Sequence, residues 1–250
     1  MPTSHPYRRV LAIDTATPVQ AICLVDGDTC LEHRVLKVRY NHGSSLLKNV
    51  DTLLASQGLD LGDLDLFCAG LGPGSFTALR VGLATAKALS RSREKPITGV
   101  SSLAAQAYAA ACARQDATVI TAIDARRAEV YAGGYRWDPD QGLLTAVPEA
   151  ALSPRALVDA VEAIDGPVVL LGDGVQTYAE LQRLAARDSV DHLPLALAPP
   201  SALGVALLGR ARALRDGPDD RISLEPNYLR PSDAKLPNIA PHPDYPHPDE

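Results

Sequence analysis

A short apolar run ending in aspartate occurs twice in this chain. Ala12-Ile13-Asp14 ends one such run and Ala122-Ile123-Asp124 ends the other. A tight turn and a second β-rich run follow each aspartate, at 19–25 and 129–137. Three identities can recur by chance, but the order of elements around them repeats as well, so two related halves are expected. With 250 residues the chain has length for one large domain or two small ones, and the repeat favours two.

Hydrophobic periodicity fills in the halves. The first reads β-β-β-α-β-α. Strands at 10–14, 19–25 and 29–38 make an antiparallel meander that turns at Asp26-Gly27-Asp28. Leu46, Leu47, Val50, Leu53 and Leu54 recur at helical spacing in a helix from about Ser44, which Gly58 can end. A strand at 64–69 runs through Gly72-Pro73-Gly74-Ser75-Phe76-Thr77 into a helix over 77–91. The second half gives a helix over 101–114, strands at 118–124, 129–137 and 143–147, and a helix start at Ser153-Pro154. A strand at 168–171 and helices over 176–187 and 201–215 complete it.

Charge and composition limit the function classes. Apolar residues are 46% and charged residues 22%, as in soluble globular proteins. The net charge of −6 supplies no bulk positive field, so any RNA contact must be local or made by a partner. Cys23, Cys30, Cys68 and Cys112 form no C-x-x-C pair, which reads as a reduced, cytoplasmic chain without a zinc site. The apolar run before Asp14 is too short for a signal peptide. The uncharged stretches 96–113 and 192–209 carry polar residues or prolines and read as core segments, not membrane spans. Seven of the 20 prolines lie between Pro226 and Pro248. We therefore expect 231–250 to be an extended tail, with His242 and His247 solvated.

Two tight turns that let backbone amides approach phosphates, with aspartates to position magnesium or water, are what a nucleotide cleft between two lobes requires. Asp14, Thr15, Gly74, Ser75, Asp124, Gly172 and Gly174 are the candidates for such a cleft. Neither aspartate turn carries glycine where phosphate would press, which disfavours an independent ATPase. The aspartates could equally do no more than hydrogen-bond their own turns. The loop 72–77 opens a helix amino terminus, a natural anion site, yet Ser75 or Thr77 would also serve as a plain cap. It lacks the P-loop lysine, and Ser75 has no assignable histidine partner. His33, His42 and His192 show no H-x-x-x-H spacing, so no metal site is visible. The helices at 44–57 and 77–91 carry apolar and small residues enough to cover a sheet or to join a helix-on-helix interface, and core packing is the alternative to a partner.

Six segments in order resemble one family: Leu11–Thr17, His42 before a leucine-rich helix, Gly72–Thr77 with Arg80-Val81-Gly82, Gly99–Leu103, Ala122–Arg126 with Glu129-Val130-Tyr131, and Glu225–Arg230. The combination resembles the TsaB (YeaZ) family over about 9–236. Ala78 stands where that family commonly has glycine. The resemblance implies an α/β fold of the actin-like ATPase (ASKHA, ribonuclease H-like) kind, two lobes each with a mixed sheet flanked by helices. The lobes would comprise 1–98 plus 199–230, and 99–198. It further implies a cytoplasmic, non-catalytic dimerisation subunit in synthesis of N6-threonylcarbamoyladenosine at adenosine 37 of tRNA. Its partners would be a TsaD-like catalytic subunit, a TsaE-like ATPase, and a second copy when alone, met through the helices at 44–57 and 77–91 with Leu46, Leu47, Val50, Leu53, Arg80 and Leu83 as candidate contacts. The tRNA would be contacted mainly through the complex, no membrane would be involved, and ATP or ADP with magnesium would enter only at the complex level. The competing expectations are an autonomous actin-fold ATPase or kinase and, third, a metallopeptidase of the M22 kind.

Overall fold

The protein is described by a computed structural model at residues 6–38 and 42–230. The tail expected at 231–250, with His242 and His247, lies outside the described residues. Five strands form the first sheet: β1 (Arg9–Asp14), β2 (Val19–Asp26), β3 (Thr29–Lys37), β4 (Leu66–Gly70) and β5 (Ile97–Val100). They lie in the order β3-β2-β1-β4-β5. The first two ladders are antiparallel and the last two parallel. Strands β6 (Thr118–Arg126), β7 (Glu129–Asp138), β8 (Gly142–Leu152), β9 (Val168–Leu171) and β10 (Val190–His192) repeat the pattern as β10-β9-β6-β7-β8. The repeat read at the two aspartates is therefore a duplication of a whole mixed sheet, the two-lobed actin-like architecture. Parallel pairing of β1 with β4 and of β6 with β9 brings each aspartate to the edge where the glycine-bearing loops also emerge.

Seven helices cover the sheets among the described residues: α1 (His42–Ser56), α2 (Phe76–Ser92), α3 (Ser102–Ala113), α4 (Pro154–Glu162), α5 (Gly174–Thr177), α6 (Ala179–Ala185) and α7 (Ala202–Asp216). Serine caps start three of them: the hydroxyls of Ser101, Ser153 and Ser201 accept from Ala104, Ala156 and Gly204 amides at 3.3, 3.2 and 2.9 Å. The core of the first sheet joins Leu46, Val50 and Leu53 of α1 and Leu83 of α2 to Leu11, Ile13, Ile22 and Phe67. Each such aliphatic side chain contributes about 1.5–3 kcal/mol when fully buried.

Two helices cross over. In sequence α3 follows the first sheet, yet it packs on β6 and β7, whereas α7 follows the second sheet and packs on β1, β2, β4 and β5. The two crossing helices meet where Gly204 abuts the Ala105 carbonyl. After α7 a strap over 217–230 runs back along the first lobe. Asp219 bridges Ile97, and the Asn227 amide donates to the Leu71 carbonyl at 2.7 Å. The Tyr228 ring lies 4.8 Å from that of Phe76, and Arg230 pairs with Glu129 at 3.0 Å across the lobes.

Several boundaries differ from the sequence reading. The helix expected over 176–187 is two, because Tyr178 is extended (φ −116°, ψ 128°). The strand expected at 143–147 is part of an 11-residue strand. Strands β5 and β10, of 4 and 3 residues, are additions, too short to show a period of their own.

Candidate functional site

The first aspartate turn is roofed by its own chain. Asp14 ends β1 at 3% exposure, and its Oδ1 accepts the Ala16 amide at 2.8 Å. Burial pushes its carboxyl above the usual range, opposed by the Ala16 and Ser102 hydrogen bonds. Gly70 is the surface beneath it, since a β-carbon there would lie 2.5 Å from the Asp14 carboxyl. Thr15 turns its hydroxyl inward and donates to the Ala78 carbonyl at 2.7 Å, above Gly82 of α2. Gly74 sits against the Ala16 carbonyl so closely that any side chain would overlap it. The Ser75 amide donates to that same carbonyl at 2.8 Å. Ser75 is the cap residue of α2, but its side chain makes no capping bond. The Thr15 hydroxyl and the Ser75 amide, two of the groups that could have faced a phosphate, are thus engaged within the chain.

The second aspartate turn is built differently. Asp124 Oδ1 accepts the Arg126 amide at 2.9 Å and the Tyr178 hydroxyl at 2.8 Å. Its own amide donates to Asp173 Oδ1 at 2.9 Å. Asp173 stands between Gly172 and Gly174, and both glycines pack on the Ala122 carbonyl. Burial raises the Asp173 carboxyl, countered by the Asp124 amide and reinforced by the Asp124 charge. The Tyr178 hydroxyl is pushed up to about 12, by burial first and then by its bond to Asp124. Arg126, Arg127 and Ala128 follow with φ of 63°, 54° and 57°, a left-handed run unusual for residues with side chains. The structure thus brings Asp14, Thr15, Gly74 and Ser75 together, and separately Asp124, Gly172 and Gly174. Among the described residues no hydrogen bond or ion pair joins Asp14 to Asp124.

A carboxylate that the sequence reading missed ties the lobes together. Glu149, on β8, accepts from the Tyr135 hydroxyl at 2.6 Å, the Asn227 side-chain amide at 3.0 Å and the Ser101 hydroxyl. Those donors belong to β7, the strap and the cap of α3. Nothing in the local sequence marks Glu149, since only the crossover brings its donors together. Asp173, in contrast, lay in plain view between two glycines. The described residues contain no group of three His, Cys, Asp or Glu side chains placed to hold a metal ion.

The docking candidates divide by burial. Leu46, Val50 and Leu53 are fully buried and Leu83 is 5% exposed, so they are core rather than monomer surface. Helical period selects the most apolar face, and that face is the one the sheet covers. Leu47 is half exposed. Arg80 is exposed but engaged within the chain, with its guanidinium 3.9 Å from the Phe76 ring centroid and its Nε donating to the Tyr228 hydroxyl at 3.0 Å. The outward face of α2 carries Thr77, Ala84 and Ala88, with Val81 and Thr85 half buried beside them. No helix among the described residues is long and apolar enough to cross a membrane.

Known proteins resemble this arrangement. The family model described as TsaD, tRNA N6-adenosine threonylcarbamoyltransferase, matches residues 36–237. The tRNA threonylcarbamoyladenosine biosynthesis protein TsaB of Escherichia coli K12 is 35% identical over 75% of this chain and 82% of its own length. The protein of the same name from Bacillus subtilis 168 is 30% identical over 90% and 96%. The solved structure of YeaZ from Pseudomonas aeruginosa superposes with a TM-score of 0.76 at 28% identity, covering 88% of this chain and 99% of that one.

Proposed function

The chain belongs to the TsaB (YeaZ) family, and from that membership we propose that it is a non-catalytic subunit in the synthesis of tRNA threonylcarbamoyladenosine. In this role it pairs with a TsaD-type subunit that carries out the transfer, in a cytoplasmic assembly completed by a TsaE-type ATPase. The observation that carries the non-catalytic role is the roofed first turn, where Gly74 and the Ser75 amide close on the Ala16 carbonyl. This packing fills the space over the first turn and engages the Ser75 amide and the Thr15 hydroxyl, which supports a partner role over an autonomous actin-fold ATPase or kinase. ATP or ADP with magnesium would then bind at the level of the complex, against surfaces that the partner completes.

The pairing surface is the outward face of α1 and α2, with Leu47, Val81, Ala84 and Ala88 at its centre. Small residues on α2 let a second helix approach closely, and Leu47 supplies an exposed apolar anchor. The same face serves a homodimer when the partner is absent. Leu46, Val50, Leu53 and Leu83 support the face from beneath.

Reconstitution tests this reading. Transfer to a tRNA transcript by the TsaD-type and TsaE-type subunits is expected to require this chain. Leu47→Glu and Ala84→Glu are expected to abolish co-elution of the pair while the monomer keeps its circular dichroism. ATP turnover by the purified chain alone, lost in Asp14→Ala, would overturn the proposal in favour of an ATPase.

A further inference from the structure

The sequence excluded a bulk positive field, yet the fold gathers cations at one end of the first lobe. Lys87 and Arg91 lie one helical turn apart on α2, and Arg93 and Lys95 follow in the turn to β5. Arg221 of the strap joins them: its Nε donates to the Ser90 hydroxyl at 3.0 Å and its Nη2 to the Lys95 carbonyl at 2.8 Å. Lys87 Nζ donates to the Ile222 carbonyl at 3.3 Å, which fixes the strap against α2. None of these five cations has a carboxylate within 4 Å among the described residues. Elsewhere the arginines are commonly paired, as Arg9 with Asp26, Arg114 with Asp116 and Arg187 with Glu162.

The acids nearby do not neutralise the cluster. Glu94 is exposed between Arg93 and Lys95. Asp220 turns its carboxylate onto the Ile222 and Ser223 amides and the Ser223 hydroxyl. The C-terminal dipole of α2 amounts to roughly half a negative charge, which Arg91 alone offsets. Against the five cations, Glu94 and Asp220 subtract two charges and the dipole about half of one, so roughly two to three positive charges remain in surplus.

We propose that Lys87, Arg91, Arg93, Lys95 and Arg221 form a contact surface for the phosphate backbone of tRNA. The proposal rests on the tRNA-modification reading and adds to it a direct RNA contact by this subunit. A phosphate backbone is met by spaced point charges from separate segments, which is what α2, its following turn and the strap provide. An acidic protein partner would instead need a desolvated apolar centre, whereas Leu89 and Leu224 are packed against the core and Ile222 stands alone at 88% exposure.

The test uses the chain co-purified with its TsaD-type subunit and a tRNA transcript, titrated by fluorescence anisotropy between 50 and 200 mM salt. Arg93 and Lys95 lie beyond the end of α2 and off its pairing face, so Arg93→Gln/Lys95→Gln should leave fold and co-elution intact. This double variant is expected to weaken tRNA binding about tenfold and to lower the salt slope by about two. Ile222→Ser is expected to leave both unchanged. Unchanged affinity and slope in the double variant would overturn the proposal and identify a solvated face. Loss of co-elution with tRNA affinity intact would overturn it in favour of protein docking. If the wild-type pair does not form, that failure falls on the proposed function, and the same titration of the chain alone decides the RNA contact.

Discussion

The two lobes share one strand order but differ in the helices laid over it. In the first, β3 is followed by a 15-residue helix and β4 by one of 17 residues. In the second, the corresponding helices have 9 residues, and 4 plus 7 residues broken at Tyr178. The longer pair in the first lobe presents the longer outward face, which is the surface proposed above for pairing. The shorter helices of the second lobe contribute Leu157, Val161, Leu181 and Leu184 to their own core. The aspartate turns diverge in the same sense. The first is roofed and buried, whereas the second keeps a left-handed Arg126–Ala128 run and a tyrosine bond. The same frame occurs twice, and the two lobes differ in the helices and aspartate turns laid on it.

The comparison can be broken at its glycines. Gly172→Ala would force a β-carbon into the Ala122 carbonyl at a φ of +110°, and Gly74→Ala into the Ala16 carbonyl. We expect losses of about 3 kcal/mol or more for the first and about 2–3 kcal/mol for the second in urea unfolding. Costs below about 1 kcal/mol at Gly74 would mean that the first turn is not roofed. A smaller effect should mark the strap that only the first lobe carries. Tyr228→Ala removes the ring against Phe76 and the hydrogen bond from Arg80, for a loss of about 1–2 kcal/mol read as a lower midpoint.

The smallest signal compares the buried carboxylates of the two turns. Asp14 and Asp173 both have raised folded-state values, so the native state binds the proton more tightly than the unfolded chain. Their contribution to stability therefore falls as pH rises from the ordinary carboxylate value through the raised one. Asp14→Asn and Asp173→Asn should each flatten that fall, so the stability of variant relative to parent increases with pH. Parallel pH profiles for parent and variant would exclude the burial effect in that lobe.

Much of this was legible in residue order. Alternation and turn chemistry located β1, β2, β3, β6 and β7, and the spacing of Leu46, Val50 and Leu53 located α1. What failed did so for identifiable reasons. A 3-residue or 4-residue strand such as β10 or β5 has no period to read. Tyr178 breaks a helix through its extended backbone, although the flanking sequence continues the helical pattern. Leu46, Val50, Leu53 and Leu83 were plausible contacts because periodicity finds an apolar face without saying what covers it. Burial assigns them to the sheet and leaves Leu47 outside.

The sequence by itself determined the duplicated α/β frame, the turn at each aspartate and the absence of a bulk positive field, because each depends on local pattern or on a sum over residues. Only the tertiary structure decided that Glu149 holds three elements, and that five cations without a carboxylate partner among the described residues share one surface. Those outcomes depend on which distant segments meet, and the side chains that meet there carry no period or motif of their own.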